Sequence, residues 1–192
     1  MIYRNVDARE IKLDRRELAA RLGTPYESES GEFGEIYDEL VNVARPAYVA
    51  MRVKLNRGKD GISIGKTLSK STSLMKISEG ASSALVLVAT LGIGVDRLVL
   101  KATQLSPSRA FITDAMADAL IEALCDLAES RICEGLATRP RFSPGYGDLE
   151  LSLGKELVAL SGADKTLGIR MTESGLMVPK KSVNALIIIK DV

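Results

Sequence analysis

The chain has 192 residues, of which 46% are apolar, and its 26 basic and 25 acidic side chains leave a formal net charge of +1. That length and apolar fraction predict one domain with a sizeable core, or one domain with an added arm, and the near-neutral charge does not suggest a nucleic-acid partner. Histidine is absent, which excludes Ser-His-Asp and Cys-His catalysis, His-ligated zinc and a histidine proton shuttle, while the absence of tryptophan and the 4% aromatic content speak against an aromatic stacking platform for single-stranded nucleic acid.

Asp14-Arg15-Arg16-Glu17 predicts a cap and its box partner, opening a short helix through Leu18 and Leu22 that stops at Gly23. Residues 24–34 are polar and predict a loop. A second helix is expected over Glu35–Ala44, with Ile36, Leu40 and Val43 on one face, and it must end before Pro46. Val49, Met51, Val53 and Leu55 alternate with Tyr48, Ala50, Arg52 and Lys54, the pattern of a strand with one wet face. A hairpin-like turn follows at Asn56–Gly61. Gly61-Ile62-Ser63-Ile64-Gly65-Lys66-Thr67 imitates a phosphate loop, but its glycines are separated by three residues where four are needed, and Asp60 stands where the first glycine belongs.

Residues 71–79 predict a short helix, and Ala84–Ala89 is an unbroken apolar run suited to a buried strand. Thr90-Leu91-Gly92-Ile93-Gly94 has the strand–glycine–helix shape that can cradle phosphate, yet it lacks the third glycine of a dinucleotide fingerprint and a supporting acid at the proper distance. Val95–Leu105 is helical in pattern. Ser106-Pro107 marks a fresh helix start, and that helix should run to about Glu134, roughly 40 Å, with Gly135 as its stop. A helix at Lys155–Leu160 and strands at Leu167–Met171 and Val183–Lys190 complete an α+β chain with an antiparallel or mixed sheet. No apolar run reaches the roughly 18–20 residues that span a bilayer, and the opening lacks the apolar region of a secretory signal. A cytoplasmic protein without membrane or nucleic-acid partners is the expectation. Cys125 and Cys133, eight apart on one helix, are too distant to bridge within it and are expected to be reduced and partly buried.

Three features carry the chemistry. On the long helix, Asp114, Asp118, Glu122 and Asp126 repeat every four residues and Glu129 continues the row, while no Lys or Arg lies on the helix between Arg109 and Arg131 to offset them. Like charges at this spacing repel by a few tenths of a kcal/mol per pair. Two readings stay open: the row faces a ligand cation, or it is a solvated face, with Asp114 also favoured near the helix N-terminus. Next comes Arg141-Phe142-Ser143-Pro144-Gly145-Tyr146-Gly147-Asp148. Pro144 fixes one backbone angle and Gly145 frees the next, so backbone groups can approach a ligand while Arg141 and Tyr146 supply polar heads. Arg141 is either a surface ion-pairing residue or a fork for a carboxylate; Tyr146 is either a packed loop aromatic or part of a ligand border. The third feature is Met171-Thr172-Glu173-Ser174-Gly175-Leu176-Met177-Val178-Pro179-Lys180-Lys181-Ser182-Val183, which taken alone reads as a turn between two strands.

In this order and combination the strings resemble the activation (reactivation) domain of cobalamin-dependent methionine synthase. That domain binds S-adenosylmethionine through an Arg-x-x-x-Gly-Tyr loop, here Arg141-x-x-Pro144-Gly145-Tyr146, and carries an Asp-Ala-x-Ala-Asp-x-Leu-x-Glu-Ala helix, here Asp114 to Ala123. The resemblance covers residues 84–192. It implies a bent antiparallel or mixed sheet flanked by helices, one of them long, with residues 1–46 as a helical arm and 47–192 as the S-adenosylmethionine-binding domain. It further implies that Glu122 contacts the ligand, that Arg141 holds the methionyl carboxylate, that Ser143 and Gly145 offer mainly backbone groups, and that Tyr146 borders the methionyl part. The implied function is a reactivation subunit that supports reductive methylation of cob(II)alamin on a separate cobalamin-binding methionine synthase or other corrinoid protein. S-Adenosylmethionine would be the bound cofactor, cobalamin would be carried by the partner, and the electron would come from a flavodoxin-like or ferredoxin-like donor. Lys180 and Lys181 would pair with acidic groups of a partner. The alternatives are a non-catalytic module that senses S-adenosylmethionine or a corrinoid protein, and a scaffold that kept the fold but lost the ligand.

Overall fold

The apolar run at residues 83–90 is the centre of the molecule, and every residue of the strand it forms, β5 (Ser83–Thr90), is buried. In the computed structural model, which describes residues 1–23 and 31–191, β5 pairs antiparallel with β2 (Ala47–Gly58) on one side and β8 (Ser182–Ile189) on the other. The short strands β3 (Gly61–Ile64) and β4 (Thr67–Ser69) extend the sheet beyond β2 as successive hairpins, and β1 (Ile2–Asn5) pairs with the first residues of β2. The order is therefore β4-β3-β2-β5-β8. A two-stranded hairpin of β6 (Arg170–Met171) and β7 (Met177–Val178) stands apart from this sheet.

Because successive side chains on a strand point to opposite faces, the sheet needs cover on both. Tyr48, Leu85, Leu87, Ala89, Ile187 and Ile189 pack under α1 (Arg15–Leu22), α2 (Glu32–Val43), α4 (Ile93–Leu105) and α5 (Pro107–Ile132). Val49, Val53, Val86, Val88, Leu186 and Ile188 pack under α3 (Thr72–Ile77), α6 (Leu153–Ser161) and α7 (Ala163–Thr166). Residues of the first 46 belong to the same core as the long helix: Leu18 and Leu40 are fully buried and Ile36 nearly so.

The long helix α5 has 26 residues, about 39 Å at the usual rise. Ser106 caps it by accepting from the Arg109 N–H, with Pro107 in the first turn, and it closes at Cys133 just ahead of Gly135 at φ +73°. The glycines at the start of α4 serve helix packing. A Cβ on Gly94 would lie 2.5 Å from the Val43 carbonyl oxygen, so only a glycine lets the start of α4 meet the end of α2.

Several expectations change. The wet face foreseen for β2 begins only at Arg52 and Lys54; Tyr48 and Ala50 are buried because helices cover that half of the strand. Glu17 turns to Arg21 one turn on instead of closing a capping box, although Asp14 caps α1 as foreseen. Helix α2 starts at Glu32 rather than Glu35, and positions 24–30 of the expected loop lie outside the described residues. The phosphate-loop imitation is the β3–β4 hairpin, where a Cβ on Gly61 would meet the Ser69 carbonyl oxygen at 2.2 Å. The strand expected from Leu167 shrinks to Arg170–Met171, because the Leu167 and Ile169 N–H groups close the end of α7 on the Ala163 carbonyl. Among the described residues no helix is long and apolar enough to cross a membrane.

The Gly94 contact makes a direct prediction. Gly94→Ala must push two helix ends apart, at a cost of about 1–3 kcal/mol, read as a lower urea midpoint with an unchanged slope.

Candidate ligand-binding cleft

The acidic row of α5 is partly neutralised by this chain's own basic side chains. Three segments distant in sequence bring counter-ions to it. Lys181 Nζ lies 2.7 Å from Asp114 and 2.6 Å from Asp118, and Arg21 of α1 lies 3.8 Å from Asp118. Arg141 bonds Glu122 at 3.2 Å through one guanidinium nitrogen, and Asp126 at 2.7 Å and Glu129 at 2.9 Å through the other. Burial works against the charge on Arg141, but the Asp126 hydrogen bond and the neighbouring charges prevail and hold its pKa above the ordinary value. Burial likewise opposes Lys181, and its bonds to Asp114 and Asp118 prevail. Lys181, expected to meet a partner's acids, therefore meets this chain's own helix. Lys180 contributes its backbone N–H to Asp96 at 2.7 Å.

The residues before the Arg141 loop run along the outer edge of β8. Thr138 and Phe142 form bridges with Ile189 and Leu186, and Phe142 and Leu186 exchange N–H···O bonds of 2.9 Å in both directions. Past Phe142 the chain leaves the edge and turns. The Gly145 N–H donates to the Leu149 carbonyl at 2.8 Å and the Tyr146 N–H to the Ser143 carbonyl at 3.1 Å, with Gly145 at φ +94°. Leu149 is buried and seats the far end.

Asp148 locks the turn to α3. Its carboxylate accepts from the Ser71 hydroxyl at 2.6 Å, from the Thr72 N–H at 2.7 Å and hydroxyl at 2.6 Å, and from the Ser73 N–H at 3.0 Å. These bonds, the Ser71 hydroxyl first, hold the Asp148 carboxyl well below the usual carboxylate range. Gly147 permits the approach, since a Cβ there would lie 2.7 Å from the Ser73 hydroxyl oxygen. Tyr146 is left at the tip, exposed, with its ring 6.5 Å from that of Phe142.

Where the chain departs from β8 a cleft of about 830 Å³ opens. Glu122, Asp126 and Glu129 line it from α5, together with Arg139 and Arg141; Ser143, Pro144 and Tyr146 line it from the turn; Leu151, Met171, Gly175 and Met177 line it from the opposite side, with Ser182, Val183 and Asn184 of β8 between. Of the residues singled out in sequence, Glu122, Arg141, Ser143 and Tyr146 thus meet at one cavity. Gly145 shapes the turn behind them, its N–H already used within the loop. Arg139, Leu151 and Asn184 were not singled out. Asn184 left one signal, an amide facing a run of apolar residues in β8.

Cys125 is buried on α5, and burial pushes its thiol up to about 12; both cysteines are free. Among the described residues no group of three or more His, Cys, Asp or Glu side chains could hold a metal.

No protein-family model matches the chain, and no curated protein sequence matches it. The crystal structure of the MetH reactivation domain bound to AdoHcy does match in three dimensions, with a TM-score of 0.73 at 17% identity, over 97% of this chain and 77% of that one. The chain has the reactivation-domain fold. The bent antiparallel sheet, its flanking helices and the single long helix accord with what the motifs implied.

The Asp148 lock predicts a pH signature. A carboxyl whose folded pKa is depressed adds stability above its unfolded value near 3.9, and that stability is lost as pH falls toward the lower folded value. Asp148→Asn should lower the urea midpoint at pH 7, and the gap to wild type should narrow as pH is taken from 4 toward 2. A gap that stays constant over that range would exclude the carboxylate charge as its source.

Proposed function

We propose that the cleft binds S-adenosylmethionine and that the chain serves, in the cytoplasm, as a reactivation module for a corrinoid protein. The observation that carries this reading is the asymmetry of the cleft. One side sets three carboxylates around a single guanidinium, and the other is made of leucine and methionine side chains. S-Adenosylmethionine has the matching form, with a sulfonium, an ammonium and a carboxylate at one end and a flat base at the other. A guanidinium has five N–H donors. The three bonds to Glu122, Asp126 and Glu129 leave Arg141 donors for the methionyl carboxylate. Glu122, half-exposed at the cleft, then takes the ammonium or the sulfonium. The surplus of carboxylate over guanidinium favours a ligand with net positive charge. The solved reactivation domain of the same fold holds AdoHcy, which adds weight to this choice of ligand.

The chain has no histidine and so offers no axial imidazole, which fits a corrin that arrives on a partner. The partner's corrinoid, reduced by an electron from a flavodoxin-like or ferredoxin-like donor, supplies the nucleophile, and the sulfonium supplies the methyl group. This chain supplies position. Arg141 and Glu122 fix the methionyl end, Ser143 and the Gly145 turn shape the wall, and exposed Tyr146 borders the open side. None of these groups needs to gain or lose a proton, and orientation alone can supply much of such a rate enhancement.

Ligand at 100 times its dissociation constant should raise unfolding free energy by about 2.7 kcal/mol, read as a thermal shift with S-adenosylmethionine and with S-adenosylhomocysteine. Arg141→Ala should weaken both ligands at least tenfold, by loss of a charge-assisted fork worth about 1.5–3 kcal/mol. Glu122→Gln should reduce the preference for the sulfonium. No shift at millimolar ligand removes the reading. Binding without transfer of labelled methyl to a reduced corrinoid partner would leave a sensing module in its place.

A further inference from the structure

Among the described residues, Arg139 Nε and Asn184 Oδ1 at the cleft are buried without a hydrogen-bond partner. Asn184 is the more telling. It is 6% exposed, its Nδ2 donates to Met177 Sδ at 3.3 Å, and sulfur is a weak acceptor. An asparagine in a buried strand, half satisfied by a thioether, costs stability that a leucine in its place would not cost. The neighbourhood is nevertheless shaped around it. A Cβ on Gly154 would lie 3.2 Å from Asn184 Nδ2 and 3.3 Å from Met171 Cε, so the glycine leaves the amide and the methionine their room.

We propose that Asn184 reads the base edge of an adenine nucleoside seated among Leu151, Met171 and Met177; this rests on the S-adenosylmethionine reading above. Side-chain alternation along β8 puts Asn184 on the same face as Leu186 and Ile188, the face that packs with Met171 and Met177. The carboxylates of α5 belong to the opposite layer. A ligand held by its charged end at Arg141 therefore crosses the edge of β8 to place its base in the methionine-lined part. The edge is open there. Leu186 is the last β8 residue to pair with the incoming chain, and ladder alternation turns the Asn184 backbone N–H and C=O to the same side as those of Leu186, away from β5.

The free Oδ1 accepts a hydrogen bond from the exocyclic amino group of adenine, while polarisable methionine and leucine side chains pack on the ring faces. A 6-oxo purine presents a carbonyl at that position. Turning the amide over to serve it would set Oδ1 against the Met177 sulfur, where two acceptors face each other. The Met177 contact thus fixes which way the amide points and makes the site selective.

The test compares S-adenosylhomocysteine with its deaminated form, S-inosylhomocysteine, by calorimetry on the full chain. Wild type should bind the adenosyl ligand on the order of tenfold tighter or more, the usual worth of one well-placed base contact. In Asn184→Leu that preference should fall to within about twofold, with the unliganded protein no less stable than wild type. In Met177→Leu, which frees the amide to turn, the ratio of adenosyl to inosyl affinity should shrink relative to wild type. Equal wild-type affinity for the two ligands, or an undiminished preference in Asn184→Leu, overturns the Asn184 assignment and leaves the cleft reading standing. Failure of wild type to bind either ligand overturns both.

Discussion

A row of five carboxylates down one helix must find positive charge, and this chain finds it far away in sequence. Asp114, Asp118, Glu122, Asp126 and Glu129 are answered by Arg21 from α1, by Arg141 from the loop after α5 and by Lys181 from the approach to β8. Fully exposed pairs of this kind contribute little. Arg141 and Lys181, however, have side chains only 19% and 11% exposed, so losing a partner would strand charge in a partly dry setting. The row therefore fixes where three segments sit, and the path of the Arg141 loop follows from it.

The second constraint is the edge of the sheet. An unpaired edge strand invites unwanted pairing. Here residues 138–142 cover β8 as far as Leu186 and then turn away. Arg141 is drawn to α5, and Asp148 is drawn to the first turn of α3. Between those two anchors Pro144 and the glycines carry the chain around the turn, and the edge left uncovered becomes the cleft. Its acidic and apolar sides are the two layers of the fold seen end on.

Fold alone does not carry function, and 17% identity to the MetH reactivation domain establishes the architecture only. The functional reading comes from the chemistry of the opening: three carboxylates against the two guanidiniums of Arg139 and Arg141, a sulfur- and leucine-lined wall, and no imidazole anywhere in the chain. These features suit a ligand that is charged at one end and flat at the other. The protein need not perform acid–base work on it.

The sequence by itself determined the elements whose causes are local. Ser106-Pro107 begins α5, Gly23 and Gly135 follow helix ends at positive φ, and the apolar run at residues 84–89 is a buried strand. Pro144 and the glycines after Arg141 likewise marked a turn. What only the tertiary structure decided are the relations across the chain: that helices bury Tyr48 and Ala50, that Lys181 and Arg141 answer the acids of α5, and that Asp148 caps α3. It also decided that Asn184 lines the cleft with a buried acceptor unmet. The physical reason is range. Caps, turns and periodicity are set by neighbours within a few residues, whereas counter-ions, cover and cavities are set by whichever distant segment folding brings alongside.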